Sequence, residues 1–224
     1  GVHIKLNHLS FGYQNLSKIL DDLNVEIKSG SKVCIRGEAA SGKSVFLELL
    51  AGGFPDTEGA VLIDGLPIGN YNIESYRKQI GVFYHEQDIF KGTLYENITM
   101  GDTSISTSYL LELAKVVGFD TYIESLSKGF DTELKPTGKG MSSIIAKKIL
   151  LVRAFATSPT LLLLDEPFAG VNPTLVEKLL TVLAELRKEQ SMTFLLIEHD
   201  LETVMNISDR VIVMADGKII ADGL

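Results

Sequence analysis

The sequence is poor in the features that mark secreted proteins and membrane-spanning segments. Cys34 is the one cysteine among 224 residues, so no disulfide can form within the chain, and a reducing compartment is expected. The longest apolar stretches, such as Ile149–Val152 and Leu161–Leu164, fall far short of the roughly 20 residues that a membrane-spanning helix needs. The composition therefore predicts a soluble, intracellular domain.

Basic residues are also scarce relative to acidic ones. The chain has 21 lysines and arginines against 29 aspartates and glutamates, a net charge of −8. This balance argues against nucleic acid as a partner, although a local basic pocket stays compatible with it. With 45% apolar and 22% charged residues, the chain is globular rather than disordered. Because it begins at Gly1 and stops at Leu224 without an evident cap, we expect it to be part of a longer protein.

Two kinds of hydrophobic periodicity run along the chain. Val2–Leu9 and Leu20–Ile27 alternate as exposed-edge strands do, and Val61–Ile63 runs into the turn signal Asp64-Gly65. From Tyr109 the apolar spacing becomes helical. In the second half, apolar strands alternate with helical stretches: the strands are Leu161–Leu164, Thr193–Ile197 and Val211–Met214, and the helices are Thr174–Gln190 and Leu201–Ile207. We expect Leu161–Leu164 to be a buried strand with the other two as its neighbours, which predicts an α/β core with a parallel sheet.

One motif carries most of the chemical information. The strand Val33–Ile35 is followed by the pattern G-x-x-x-x-G-K-S and then by the helical run Val45–Leu50. In that context glycines let backbone N–H groups form an anion-binding nest at a helix N-terminus, although a glycine turn before a lysine could arise by chance. Lys43 is predicted to reach the β- and γ-phosphates of a nucleotide, and the Ser44 hydroxyl to ligate Mg²⁺. The predicted nucleotide-binding residues are Gly37, Glu38, Ala39, Ala40, Ser41, Gly42, Lys43, Ser44 and Val45.

A second group of polar residues follows the apolar strands. Asp165 and Glu166 come directly after Leu161–Leu164, and ligands of α/β sheets bind at the carboxyl ends of the strands. Asp165 is predicted to hold Mg²⁺ and Glu166 to orient or deprotonate the attacking water, although acids at a helix N-terminus would fit the same pattern. His199 lies just past Thr193–Ile197 and is a candidate for a hydrogen bond to the γ-phosphate, although a lone histidine can equally be structural.

In their order and spacing, these motifs resemble the nucleotide-binding domain of an ATP-binding cassette (ABC) transporter over essentially the whole chain. Gly37–Ser44 matches the family's Walker A loop, Leu161–Glu166 its Walker B strand with the catalytic glutamate, and His199 its switch histidine. Tyr13 matches the aromatic residue that stacks on adenine, and a core aromatic is the alternative. Phe90–Ile98 resembles the segment after the Q-loop in exporter-type cassettes, where the subdomains meet the membrane domain.

The resemblance also exposes departures from the family pattern. Counting back from Val152-Arg153-Ala154, the Leu-Ser-Gly-Gly-Gln signature falls on Met141-Ser142-Ser143-Ile144-Ile145, so the serine is kept and both glycines are replaced. The Q-loop glutamine falls on His85, which joins the expected Mg²⁺ ligands, with Gln87 as the alternative. The D-loop aspartate falls on Asn172. Three changes on one shared surface indicate specialisation, because glycine is what permits close backbone approach; sequence drift is the alternative.

The fold implied by the resemblance is a P-loop NTPase: a RecA-like parallel sheet core with an antiparallel β subdomain and an inserted helical subdomain. We expect one domain over residues 1–224, with the helical insertion at roughly 93–154. The implied cofactors are ATP and Mg²⁺, and the implied catalytic residues are Lys43, Glu166 and His199. In the whole protein, two such domains would sandwich two ATP molecules at the cytoplasmic face of a membrane. A transmembrane domain fused N-terminally would then export a substrate that this sequence does not identify.

Two other functions remain compatible with the sequence. One is a nucleotide sensor that dimerises on ATP with little turnover, which the altered signature and His85 favour, whereas intact Glu166 and His199 favour the enzyme. The other is a soluble cassette protein of translation or DNA repair, against which the exporter-like Phe90–Ile98 argues. The signature also predicts a heterodimer over a slow homodimer, because a homodimer would present Met141–Ile145 to both ATP sites.

Overall fold

The computed structural model describes residues 1–14, 16–54, 57–84, 87–168, 178, 181, 185 and 192–223. Its strands are β1 (Ile4–Phe11), β2 (Leu20–Ile27), β3 (Lys32–Gly37), β4 (Glu58–Ile63), β5 (Leu66–Pro67), β6 (Ile80–Phe83), β7 (Gly92–Thr93), β8 (Glu133–Leu134), β9 (Leu161–Asp165), β10 (Thr193–Ile197), β11 (Arg210–Ala215) and β12 (Lys218–Gly223). Its helices are α1 (Lys43–Leu50), α2 (Ile73–Arg77), α3 (Leu94–Thr99), α4 (Thr107–Val116), α5 (Asp120–Ser125), α6 (Ser143–Ala156) and α7 (Leu201–Ile207).

The central sheet is mostly parallel. Within the described ranges its strand order is β12-β11-β3-β10-β9-β6, and only β12 runs antiparallel to its neighbour. β9 and β10 are buried along their whole length, as expected for strands that are covered on both faces. The predicted α/β core with a parallel sheet is therefore confirmed.

The strand order corrects one detail of that prediction. Val211–Met214 lies within β11, which pairs with β3, whereas the neighbours of β9 are β10 and β6. The apolar pattern marks β6 poorly because Gly81 interrupts it. A Cβ at Gly81 would collide with the carbonyl oxygen of Ala154, so this strand needs a glycine where α6 passes over it. Order along the chain does not determine order in the sheet, because crossover connections can skip positions.

A smaller antiparallel sheet has the order β2-β1-β4-β5. β2 matches the prediction residue for residue, but β1 lies between β2 and β4, so the prediction of an exposed-edge strand at Val2–Leu9 is wrong. Alternation shows that one face of a strand is buried and does not tell whether both of its edges are paired. The turn between β4 and β5 is confirmed: Asp64 and Gly65 both have positive φ, 49° and 82°, as two-residue hairpins favour.

The two faces of the parallel sheet pack against different partners. In β9 and β10, Leu162, Leu164, Phe194 and Leu196 join one buried cluster with side chains of α3–α6. Alternate residues of the same strands join a second cluster with α1 and the antiparallel sheet. This split follows from the period of two in a strand. The helices α3–α6 lie in the chain between β6 and β9, and the limits of 93–154 for the helical insertion stay a prediction.

Several local predictions can be compared with these elements. The helical spacing from Tyr109 corresponds to α4 and Leu201–Ile207 to α7, whereas most of Thr174–Gln190 lies outside the described residues. Cys34 is buried in β3, and burial raises the pKa of its thiol to about 11, so the thiolate form is disfavoured. In the part of the chain that the structure describes, no helix has both the length and the apolar character required to cross a membrane.

Candidate active site

The predicted phosphate loop is the turn between β3 and α1. Gly37 has φ 155° and Gly42 has φ 94°. A Cβ at Gly37 would collide with the carbonyl oxygen of Met214, and a Cβ at Gly42 would stand 2.9 Å from the carbonyl oxygen of Ile19. Both positions therefore need glycine for space as well as for conformation. α1 begins directly after Gly42 without a side-chain cap, so its first N–H groups point into the loop uncovered by any capping side chain.

The Lys43 side chain is folded into this loop. Its Nζ lies 2.8 Å from the carbonyl oxygen of Gly37, 2.6 Å from that of Glu38 and 3.1 Å from the Ser41 hydroxyl. Burial lowers the pKa of the Lys43 ammonium, while the negative charges of Glu166 and Asp165 raise it. The ammonium is therefore surrounded by oxygens of the loop and lies close to both predicted acids.

The other residues of the predicted phosphate loop differ in exposure. Ser41 and Gly42 are buried, and Val45 is half-buried against the core. Glu38, Ala39, Ala40 and Ser44 are exposed. The exposed part of the loop is thus accessible to a ligand, and the buried part packs the loop onto the sheet.

The acids and the histidine meet at the carboxyl edge of the parallel sheet. Asp165 ends β9 and is paired in register with Ile197 at the end of β10. The Nε2 atom of His199 lies 2.6 Å from Oε1 of Glu166, although the two residues are 33 positions apart. Glu166 has φ 49°, a left-handed conformation that is strained for a residue other than glycine. The structure thus brings Glu166, His199 and Asp165 to the side of the sheet where Lys43 lies.

Tyr13 is an exposed aromatic residue just past the end of β1. Its side chain is 45% exposed, so it is not a core residue. The ring packs edge-on against Phe11 and Phe54, with ring centroids 5.3 Å and 5.8 Å away. Tyr13 precedes Ile19, whose carbonyl oxygen faces Gly42 of the loop. The ring therefore has support from its neighbours and a free surface for a ligand.

The residues predicted to hold Mg²⁺ fit that ion in part. Ser44 and Asp165 supply hydroxyl and carboxylate oxygens, the ligands that this hard cation prefers. Among the described residues, no group of three or more His, Cys, Asp and Glu side chains could hold a metal ion. Two protein oxygens suit a Mg²⁺ ion whose remaining ligands come from the phosphates of a nucleotide and from water. His85, the third predicted ligand, lies outside the described residues.

Gln87 is the alternative to His85 as the Q-loop residue, and its side chain makes a local hydrogen bond. The amide oxygen accepts a hydrogen bond of 3.1 Å from the backbone N–H of Tyr84. Burial raises the pKa of the Tyr84 phenol, and the charge of Asp165 contributes to the same shift, so Tyr84 lies within electrostatic reach of the site. Gln87 is thus held near the site through Tyr84, and its amide oxygen is occupied there.

The altered signature segment, Met141–Ile145, forms the N-terminus of α6. The Ser142 hydroxyl accepts a hydrogen bond of 3.3 Å from the backbone N–H of Ile145 and caps the helix. Met141 and Ile145 pack partly against the helical cluster, whereas Ile144 is 56% exposed. An apolar side chain therefore covers the surface at this helix start. Asn172, the other predicted departure on the shared surface, lies outside the described residues.

A large cavity lies beside β6 and is lined by residues from the ends of α1, α2, α3 and α6 and from the segment between α3 and α4. Its volume is about 1260 Å³, and its lining includes Arg77, Tyr84, Gln87, Met100 and Arg153. The predicted Phe90–Ile98 segment lies beside it. There the buried Asn97 accepts a hydrogen bond from the Phe90 N–H at 3.0 Å and donates one to its carbonyl at 2.9 Å. Arg153 donates to the Asn97 carbonyl at 2.6 Å, so the segment is held in a defined shape.

Sequence reasoning missed two charged residues that contact the backbone of His199. Arg36 donates from Nη2 to the His199 carbonyl at 3.0 Å. The Glu198 carboxylate accepts from the His199 N–H at 3.2 Å and from the Phe168 N–H at 3.0 Å. One signal was available for Glu198: an acid follows five apolar or β-branched residues of a buried strand without a break. Acids are rarely buried unless they are paired, so such a position indicates a specific partner.

Comparisons with known proteins give a consistent assignment. Residues 20–169 match the family described as ABC transporter. A Staphylococcus aureus protein, provisionally described as a multidrug export ATP-binding/permease protein, is 30% identical over 98% of this chain. An uncharacterised ABC transporter ATP-binding protein of Bacillus subtilis is also 30% identical over 98% of the chain. A solved bacterial Atm1-family ABC exporter with ATP bound superimposes with a TM-score of 0.90 and 27% identity over 99% of the chain.

The matches cover nearly all of this chain but less than half of each relative. The chain spans 38% of the length of the Staphylococcus relative, 36% of the Bacillus relative and 38% of the solved exporter chain. ABC transporter ATP-binding domains are P-loop ATPases that are coupled to transport, and they lie on the cytoplasmic side of membranes. The predicted family and fold are therefore confirmed: the chain belongs to the ABC transporter family and is similar to the ATP-binding part of exporters in that family.

Proposed function

We propose that this domain binds Mg-ATP at the phosphate loop and hydrolyses its β–γ phosphoanhydride bond. The observation that carries the proposal is the pair formed by Glu166 and His199, whose side chains lie 2.6 Å apart. The charge of Glu166 raises the pKa of the Lys43 ammonium. The predicted phosphate-binding cation and the predicted base therefore lie within electrostatic reach of each other. A base beside a phosphate-binding cation is the arrangement that water attack on a phosphoryl group requires.

The residues take the following parts in the reaction. Lys43 exchanges its contacts with the loop oxygens for the β- and γ-phosphates, and the N–H groups of the loop bind the same phosphates. Ser44 and Asp165 would hold Mg²⁺, and the bound ion would supply positive charge against the charge that develops on the phosphate oxygens. Glu166 accepts the proton of the attacking water, whose oxygen bonds to the γ-phosphorus as the bond to the bridging oxygen breaks. His199 orients the Glu166 carboxylate and donates a hydrogen bond to the γ-phosphate.

Adenine is proposed to stack on Tyr13. The ring is exposed and is supported by Phe11 and Phe54. Stacking requires only a flat π surface, so the contact would contribute affinity with little selection among bases. The remaining residues of the proposed nucleotide site are those of the loop, with His85 as a further proposed Mg²⁺ ligand.

The proposal is tested by the substitution Glu166→Gln. Because glutamine cannot accept the proton, we expect hydrolysis to fall by roughly 10²–10⁴-fold while Mg-ATP affinity is kept. Phosphate release should be measured in the intact protein that carries this domain, with binding followed by calorimetry. Glu202→Gln, which alters an exposed acid of α7, is the matched control and should leave the rate unchanged. An unchanged rate in Glu166→Gln would mean that Glu166 is not the base.

The partner within the transporter is proposed to be a transmembrane domain that is fused N-terminally. The cavity of about 1260 Å³ and the Phe90–Ile98 segment at its side offer a concave surface for it. The Staphylococcus relative is described as both an ATP-binding and a permease protein, and it is much longer than this chain. The domain would then sit at the cytoplasmic face of a membrane and power export of a substrate that is not identified.

The second cassette is proposed to be a different protein. In a homodimer both ATP sites would face Met141–Ile145, where Ile144 is exposed and Ser142 is engaged in capping α6. Loss of a preorganised donor to a charged transition state costs roughly 10²–10³-fold in rate. A partner with an intact signature would remove that handicap from the site that contains Glu166 and His199.

The heterodimer proposal is tested with the full-length protein purified alone in membranes. We expect slow ATP hydrolysis that rises when a second cassette with an intact signature is added. Rapid, cooperative, substrate-stimulated hydrolysis by the protein alone would overturn the proposal. The same altered signature also favours a second candidate function, a nucleotide sensor with little turnover. That function would be indicated by ATP-dependent dimerisation without hydrolysis in either assembly.

A further inference from the structure

The backbone around Glu166 is held by the last residue of β10 and by the residue after it. Glu166 has φ 49°, a conformation that persists only where the surroundings stabilise it. Its backbone N–H donates to the Ile197 carbonyl at 3.0 Å. Two residues on, the Phe168 N–H donates to Oε1 of Glu198 at 3.0 Å. The acceptors of these two bonds belong to consecutive residues, Ile197 and Glu198. These two residues therefore hold the strained turn at both ends.

The same carboxylate also holds the backbone of His199. Oε2 of Glu198 accepts from the His199 N–H at 3.2 Å, and Arg36 donates to the His199 carbonyl at 3.0 Å. The backbone N–H and the carbonyl of His199 are thus each hydrogen-bonded to a charged side chain. Glu198 uses one oxygen for the turn after Glu166 and the other for His199. It therefore bridges the two backbone segments whose side chains meet at 2.6 Å.

Burial of the Glu198 carboxylate lowers the stability of the fold unless the group is hydrogen-bonded or paired with an opposite charge. Glu198 is 5% exposed, and burial raises the pKa of its carboxyl, while the Phe168 and His199 N–H groups lower it. Lys147 of α6 lies within electrostatic reach, since the charges of Glu198 and Glu166 raise the pKa of its ammonium against the lowering by burial. A buried acid that served packing alone would be replaced at lower cost by an apolar side chain of similar volume.

We propose that Glu198 is a positioning residue for ATP hydrolysis, whose carboxylate ties the turn after Glu166 to the backbone of His199 and so keeps that pair aligned. Glu198 contacts the backbone of the pair and takes no proton in the reaction. The inference rests on the ATPase function proposed above.

The test is Glu198→Ala in the intact protein. Without the bridge the Glu166–His199 pair loses its alignment, and misplacement of catalytic groups by about 1 Å typically lowers the rate by roughly 10²-fold. We expect kcat to fall by roughly 10- to 100-fold and Mg-ATP affinity to stay within about twofold, because Lys43 and the loop are untouched. Glu198→Gln keeps the size of the side chain and one acceptor oxygen. Its rate should therefore lie between the rates of Glu198→Ala and the wild type. Glu202→Ala, an exposed acid of α7, should match the wild type.

A double substitution separates positioning from a structural role. If Glu198 acts through Glu166, adding Glu198→Ala to Glu166→Gln should lower the residual rate by less than about twofold, because coupled residues are non-additive. A full additional loss would overturn the inference. It would also be overturned if Glu198→Ala and Glu198→Gln hydrolysed ATP at the wild-type rate, or if affinity fell in parallel with kcat. Failure of the ATPase proposal itself is distinguishable, because Glu166→Gln alone would then leave the rate unchanged.

Discussion

The phosphate loop and the signature segment are both turns that lead into a helix N-terminus, and they treat that terminus in opposite ways. In the phosphate loop, Gly42 precedes α1 and supplies no side-chain cap. In the signature segment, Ser142 caps α6 by accepting the Ile145 N–H at 3.3 Å. The first terminus is left for an anion, and the second satisfies one of its N–H groups with its own side chain.

The neighbouring side chains extend this contrast. Glycines at positions 37 and 42 allow the backbone of the phosphate loop to approach Met214 and Ile19 closely. At the signature segment, a 56% exposed Ile144 stands where the family has glycine. If the two segments act as proposed, this chain keeps the glycines of its own ATP site and differs from the family on the surface that it would offer to a partner's ATP.

The largest effect is expected from restoring the signature. In the full-length protein purified without another cassette, Ser143→Gly together with Ile144→Gly should raise ATP hydrolysis by roughly 10²–10³-fold, because backbone donors could then approach the phosphate. Phosphate release measures the change. The same pair of substitutions in a Glu166→Gln background is the control and should stay slow. An unchanged rate would mean that the lost glycines do not limit turnover.

A smaller effect is expected from Lys43→Ala on the intact side of the contrast. The substitution removes a charge-assisted contact to phosphate, so Mg-ATP binding should weaken by about 1.5–3 kcal/mol. That corresponds to a rise in Kd of roughly 10- to 150-fold, which calorimetric titration can follow. Lys139→Ala, a change at an exposed lysine in the helical region, is the matched control. Equal affinities for the Lys43 variant and the wild type would contradict the assignment.

The smallest effects concern the stability of the two turns. Ala40 has φ 60°, a left-handed conformation that costs an alanine about 1–2 kcal/mol and a glycine very little. Ala40→Gly also raises the conformational entropy of the unfolded chain, which lowers the gain in stability by about 0.4–1 kcal/mol. We expect the free energy of unfolding to rise by about 1 kcal/mol. Ser142→Ala removes a cap and should lower it by about 1 kcal/mol. Urea unfolding of the chain measures both, and a destabilised Ala40→Gly would mean that the left-handed alanine is not strained.

Much of the site could be predicted from sequence because its chemistry is local. Gly37–Ser44 needs one strand, one turn and one helix start, all within a short stretch whose residue types determine the backbone. Asp165 and Glu166 are likewise marked by the buried strand before them. The bridge by Glu198 could not be predicted in this way. The Glu198 carboxylate accepts from the Phe168 N–H, which lies 30 positions away in the chain, and no spacing along the sequence records that the two residues meet.

The amino-acid pattern alone determined the family, the phosphate loop and the alternation of strands and helices, because glycine positions and hydrophobic periods act over a few residues. Tertiary structure decided the rest. It placed β11 beside β3 instead of β9, put β1 between two strands, and brought His199 to within 2.6 Å of Glu166 across 33 positions. These outcomes depend on which faces bury together and which strand ends share an edge. Such choices minimise the free energy of the whole chain and are written in no single segment of it.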